Sequence, residues 1–208
     1  MRALLTARLP DHGIIGEEFG ALRPEARYRW VLDPIDGTRA FITGRPTFGT
    51  LIGLLDGDTP ILGVIDQPIL QERWIGVAGR ATVFCGTLGG RAGCRPCPAL
   101  AHAELSCTSP DMLNDEEMSR WRRLAGAVRR NSWGGDCYAH GLVALGHIDI
   151  VAEADMKLWD WAPLVPIVEG AGGSVTDWAG RTLRPDGDGR VLTLGDPKLL
   201  AEIVEKLT

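Results

Sequence analysis

The sequence predicts a layered α/β (α+β) protein, with an antiparallel sheet in the first half and a mixed α/β sheet in the second. Two observations predict it. Between residues 28 and 85, short apolar runs are punctuated by turn signals such as Gly44-Arg45-Pro46 and Asp56-Gly57-Asp58, the pattern of strands joined by hairpins. After residue 98, strand-like runs alternate with stretches of helical periodicity, the pattern of an α/β layer. Residues Leu88–Pro98, rich in Gly, Arg, Cys and Pro, mark the boundary. The expectation is a single domain over 1–208 made of two subdomains, 1–98 and 99–208.

The elements follow in order. Met1–Leu9 carries Leu4, Leu5 and Leu9 at helical spacing and stops at Pro10. It has no cap, so it reads as the last turns of a helix whose beginning is absent. Ile14-Ile15 is a short buried strand delivering Glu17 and Glu18. Phe19–Arg29 is a polar loop, Tyr28–Leu32 a strand, and Thr38–Ile42 a short helix. Strands are expected over Phe48–Leu55, Pro60–Asp66, Glu72–Val77 and Ala81–Phe84. In the second half, Leu105–Cys107 is a strand and Asp115–Ala125 a helix with Met118, Trp121 and Leu124 on one face. Cys137–Leu145 is a helix ended by Gly146, Ile148–Glu153 a strand, and Trp159–Ala171 a helix ended by Gly172-Gly173. Ser174–Thr176, Val191–Leu194 and Pro197–Leu207 read as strand, strand and helix.

Composition narrows the functional classes. The net charge of −5 gives no basic face for a nucleic-acid backbone. No apolar run is long enough to span a bilayer, and the N-terminus has no secretory pattern. Five cysteines, an odd number, read as reduced thiols. The expected setting is therefore cytoplasmic, with no nucleic-acid or membrane partner.

Chemistry concentrates in Trp30–Thr50. The apolar Trp30-Val31-Leu32 runs into Asp33-Pro34-Ile35-Asp36-Gly37-Thr38. Pro34 fixes its own φ and keeps Asp33 extended; a turn after it lets both acids face one point. Carboxylates with a backbone carbonyl, here that of Ile35, favour Mg²⁺. Gly37 admits a close ligand, and the N–H groups of Gly37 and Thr38 suit a phosphate oxygen. The competing structural reading is a solvated turn capped by Asp. Adjacent Glu17-Glu18 and the Asp160 of Trp159-Asp160-Trp161 have plain readings too, as a surface pair and a first-turn helix acid.

Taken together, Gly16-Glu17-Glu18, Asp33–Thr38 and Leu158–Gly173 (LWDWAPLVPIVEGAGG) resemble the signature set of the inositol monophosphatase family, in order and spacing as well as residue type. The stretch Thr38–Leu55 resembles the histidinol-phosphatase branch, with Thr38-Arg39-Ala40-Phe41 where inositol-specific members tend to have Thr-Asn-Phe. The resemblance implies an αβαβα sandwich, a homodimer, and a Mg²⁺-dependent phosphomonoesterase. It implies that Glu17, Asp33, the Ile35 carbonyl, Asp36 and Asp160 bind two or three Mg²⁺ ions, and that Gly37 and Thr38 hold the phosphate. A metal-activated water would attack phosphorus, with Glu17, Asp33 and Thr38 as catalytic residues. It also implies that Asp136 and Glu153 face the leaving group.

An acid at Asp136, where inositol-type members carry a small residue, suits a cationic alcohol through charge-assisted hydrogen bonds; its structural alternative is an N-cap of the following helix. The expected activity is hydrolysis of histidinol phosphate to histidinol and phosphate. Two alternatives stand beside it: an inositol monophosphatase or other small sugar-phosphate phosphatase, and a metal- or phosphate-binding fragment without catalysis. The third arises because the resemblance also implies an N-terminal helical segment, with an acid that hydrogen-bonds Thr38, where this chain has only Met1–Leu9. The expectation is that the working protein is longer. Cys94-x-x-Cys97 has the form of half a zinc site with no second pair at a suitable spacing. His12, His102, His140 and His147 show no ligand spacing and are expected at the surface or at caps. Arg39 and Arg45 meet either the substrate phosphate or surface acids.

Overall fold

The computed structural model describes all residues, 1–208. Helix α1 (Arg2–Arg8) leads to β1 (Gly13–Gly16), β2 (Tyr28–Asp36), α2 (Thr38–Thr43), β3 (Gly49–Asp56), β4 (Thr59–Gln67), β5 (Glu72–Val77) and β6 (Val83–Cys85). These six strands form one sheet in sequence order. All neighbours pair antiparallel except β1 with β2, which run parallel. The expected strand alternation is clearest in β3, whose residues are alternately buried and half-buried throughout.

Strand β2 corrects one expectation: it does not end at Leu32 but continues through Asp36. Its pairing with β3 slips between Asp33 and Asp36. Pro34 has no N–H to give the ladder, and its carbonyl instead accepts the Thr50 hydroxyl at 2.8 Å. In a regular strand, residues three apart point to opposite faces. The irregularity inserts one residue and so restores Asp33 and Asp36 to a common side.

The second half supplies β7 (Glu104–Cys107), α3 (Asp115–Ala125), β8 (Arg130–Trp133), α4 (Asp136–Ala144), β9 (Ile150–Glu153), α5 (Leu158–Trp161), α6 (Leu164–Gly170), β10 (Ser174–Thr176), β11 (Val191–Leu194) and α7 (Leu200–Leu207). Its sheet has the order β10-β11-β9-β7-β8 and is mixed. Strand β8 has no counterpart in the sequence reading. It is an edge strand with every residue exposed, so it carries neither apolar alternation nor burial to betray it. The single helix expected over Trp159–Ala171 is two. Pro163 cannot donate to the carbonyl one turn back, and the helix restarts as α6, where Pro166 sits in the first turn and no N–H is needed.

Helices α4 and α6 lie between the sheets. One core joins Val31, Leu51, Ile65 and Trp74 of the first sheet to Val143, Leu164 and Ile167 of the helices and Val151 and Val191 of the second sheet. A second core packs Leu105, Ile150, Leu192 and Leu194 against Trp121 and Leu124 of α3 and Ile203 of α7. Helix α3 begins with a capping box in which Asn114 accepts from the Glu117 N–H and Glu117 accepts from the Asn114 N–H. The outer face of the first sheet aligns Trp30, Leu54, Leu62 and Val77 across four strands, all half-buried. No helix is long and apolar enough to cross a membrane.

Candidate active site

Three carboxylates meet where the β2 irregularity faces the start of α5. Asp33, Asp36 and Asp160 each offer an oxygen, and these oxygens lie within 4.8 Å of one another. Each is held by a backbone N–H: Asp33 by Ile35 at 3.0 Å, Asp36 by Cys137 at 2.6 Å, and Asp160 by Lys157 at 2.7 Å. The last bond shows that Asp160 also serves the first turn of its helix, as its plain reading held.

Burial pushes Asp33 up to about 7, with the charges of Glu17 and Asp160 adding to it against the Ile35 N–H. Burial likewise lifts Asp36 to about 7; the thiol and N–H of Cys137 oppose this, and the charges of Asp33 and Asp136 reinforce it. Asp160 is also pushed up to about 7 by burial, against the Lys157 N–H and with the charges of Asp36, Glu17 and Glu153. No cationic side chain offsets this crowding. An all-oxygen cluster whose negative charges lack any partner fits a hard divalent cation. Glu17 is exposed and stands beside Asp33, close enough to raise it, but outside the three-oxygen set. Thr38, also exposed, donates its hydroxyl to the Ile35 carbonyl at 3.4 Å.

The other two predicted acids face the same cleft: Asp136 and Glu153 line it together with Asp36, Asp160, Thr108 and His140. Asp136 begins α4 with φ of +48°, an uncommon conformation for a residue with a side chain. It does not cap the helix. Its N–H donates to Thr108 Oγ1 at 3.0 Å and its carboxylate accepts from Thr47 Oγ1 at 2.9 Å. Burial raises its pKa, the Thr47 hydroxyl opposing and the Glu153 charge assisting, with Arg45 opposing from further out. Asp136 also explains Gly37, which has φ of +82°: a Cβ there would stand 2.7 Å from Asp136 Cγ. The proposed phosphate turn and the proposed alcohol-reading acid are thus in direct van der Waals contact.

Glu153 is 3% exposed. Its Oε1 accepts from the Thr108 N–H at 2.7 Å, and its Oε2 lies 3.1 Å from His140 Nε2. Burial acts to raise Glu153, but the hydrogen bond and charge of His140, with the Thr108 contacts, outweigh it and hold the carboxyl below its usual range.

His140 is a correction: it is 1% exposed, not a surface residue. Its position four after Asp136, on one face of α4, was the available signal. Thr47, Thr108 and Thr193 gave none. Arg39 reaches the exposed Asp111 at 2.8 Å, the surface-acid option. All five cysteines are unpaired, and Cys94 and Cys97 belong to no group with metal-holding spacing.

The model of the "Inositol monophosphatase family" matches residues 1–207. The chain is 48% identical over 183 residues to the chloroplastic bifunctional phosphatase IMPL2 of Arabidopsis thaliana, covering 87% of this chain but 52% of that relative. It therefore spans about half that protein's length. It is 36% identical over 200 residues to the histidinol-phosphatase of Chlorobaculum parvum, covering 92% of this chain and 73% of the relative. An inositol monophosphatase structure from Zymomonas mobilis superposes with a TM-score of 0.92 at 47% identity, covering 99% of this chain and 79% of that one.

Proposed function

The chain belongs to the inositol monophosphatase family, and on that premise we propose that it is a Mg²⁺-dependent phosphomonoesterase that hydrolyses histidinol phosphate. The observation carrying the substrate is the pair Asp136 and Glu153, two acids beyond the three-carboxylate cluster that line one cleft with its Asp36 and Asp160. A neutral polyol needs no second anionic group; an alcohol bearing an amine and an imidazole does. Similarity to a histidinol-phosphatase supports the same reading.

Asp33, Asp36, Asp160, Glu17 and the Ile35 carbonyl would hold two or three ions. A cation bound there supplies positive charge against the phosphoryl oxygens and acidifies water. The protein's own part is to bind and orient. The Gly37 and Thr38 N–H groups receive the phosphate at the start of α2, where no side chain caps the helix. Asp136, fixed by Thr47 and Thr108, and Glu153, fixed by Thr108 and His140, hold the cationic alcohol on the other side. Glu17 and Thr38 would position the attacking water, with Asp33 the third catalytic residue. The five free thiols support a reducing, cytoplasmic setting, and the homodimer is carried over from the family.

The test is phosphate release from histidinol phosphate and from inositol monophosphate, each with Mg²⁺ and with EDTA. Mg²⁺-dependent turnover with preference for histidinol phosphate is expected. Asp136→Ala should lower kcat/KM for histidinol phosphate about 100-fold, because a half-buried charge partner is lost, and harm inositol phosphate far less. Similarity to an inositol monophosphatase favours the rival substrate; equal losses on both substrates would decide for it.

A further inference from the structure

We propose that His140 is a positioning residue of the leaving-group site, holding the Glu153 carboxylate from behind so that it faces a cationic alcohol in the cleft. This rests on the reading that Glu153 meets that alcohol.

The geometry is a three-member chain. Thr193 Oγ1 of β11 lies 2.8 Å from His140 Nδ1, and His140 Nε2 of α4 lies 3.1 Å from Glu153 Oε2 of β9. All three residues are almost wholly buried, at 0%, 1% and 3% exposure. Residues 151, 153 and their cross-strand partners 193 and 191 share the sheet face turned towards α4, which is why one side chain can reach both strands. The second Glu153 oxygen is fixed by the Thr108 N–H at 2.7 Å. Both carboxylate oxygens are thus pinned from outside β9, and with roughly four acceptor sites per carboxylate the remaining lone pairs are free to face the cleft that Glu153 lines.

The identity of the donor matters. An arginine or lysine behind Glu153 would cancel the charge that a cationic ligand needs. An imidazole can do otherwise: with a proton on Nε2 and the Thr193 hydroxyl donated to Nδ1, the ring satisfies the buried oxygen without a charge of its own.

The experiment is calorimetric titration of the full chain with histidinol in the presence of Mg²⁺, with inositol as the neutral control and p-nitrophenyl phosphate turnover measured in parallel. His140→Phe leaves Glu153 Oε2 without its donor and should weaken histidinol binding about tenfold or more, a loss at least several times larger than any loss of p-nitrophenyl phosphate turnover. His140→Gln, whose amide can still donate, should recover binding to within about threefold. Thr193→Val should show a smaller loss with the same selectivity, and keeps the test open if the Phe variant does not fold. Binding of histidinol by both His140→Phe and Thr193→Val at the parent level, or equal loss of binding and of p-nitrophenyl phosphate turnover, overturns the positioning role. A parent protein that binds inositol as well as histidinol overturns the substrate reading instead, and the positioning role with it, before any variant is made.

Discussion

Replacing Asp36 by Asn should cut Mg²⁺-dependent turnover by about a thousandfold or more, several kcal/mol of lost charge stabilisation, while leaving the metal-free protein no less stable than the parent. The second half of that expectation separates a metal ligand from a structural acid. Asp33, Asp36 and Asp160 crowd within 4.8 Å and burial lifts all three towards 7. Without a cation their ionisation opposes folding. For a carboxyl raised in the folded state, the native protein binds more protons than the unfolded chain between the two pKa values, so stability falls as pH rises through that window. Here the window runs from about 4 to about 7. Glu153, whose pKa is lowered, acts only below the ordinary carboxyl range and does not disturb it. Thermal unfolding in EDTA should therefore show a higher Tm at pH 5.5 than at pH 7.5, and saturating Mg²⁺ should raise the Tm most at the higher pH. Asp36→Asn should blunt both effects. A Tm in EDTA that climbs between pH 5.5 and 7.5 would falsify the picture of three uncompensated carboxylates.

Gly63→Ala should destabilise the fold by about 3 kcal/mol or more, the upper range for overpacking a core, because the obstacle is backbone and cannot rotate away. A Cβ at Gly63 in β4 would run into the Pro163 carbonyl, and one at Gly76 in β5 into the Pro166–Ile167 backbone. These two glycines let the α5–α6 segment lie directly on the first sheet. Pro163 is three residues from Asp160, so pushing it outward also moves a carboxylate of the cluster. The expected result is a large drop in the urea midpoint together with loss of Mg²⁺-induced stabilisation in whatever folds. Gly57→Ala, at a turn where a Cβ meets nothing, isolates the cost of a positive φ, there +58°, and should be far milder, about 1 kcal/mol. Equal losses at the two positions would show that the α5–α6 segment does not press on β4 at Pro163 as described.

The sequence by itself determined the two sheet types, most of the elements in their order, and the acids proposed for the site. Strand alternation and turn residues are local properties, visible in runs such as Phe48–Leu55, and Asp33, Asp36 and Asp160 announced themselves through motif and resemblance together. Only the tertiary structure decided how those acids face one another. The irregularity at Pro34 brings Asp33 and Asp36 to one side, and the break at Pro163 sets α5 at the cluster; each depends on a partner strand or helix distant in the chain. The threonines 47, 108 and 193, and His140, lie outside any motif. They acquire roles because the buried Glu153 and the half-buried Asp136 need hydrogen-bond partners, and which groups supply them is fixed by packing rather than by spacing. The β8 edge strand escaped for the converse reason: it is held by backbone pairing to β7, its residues are all exposed, and its apolar contact, Trp133 stacked on Trp121, gives no strand alternation.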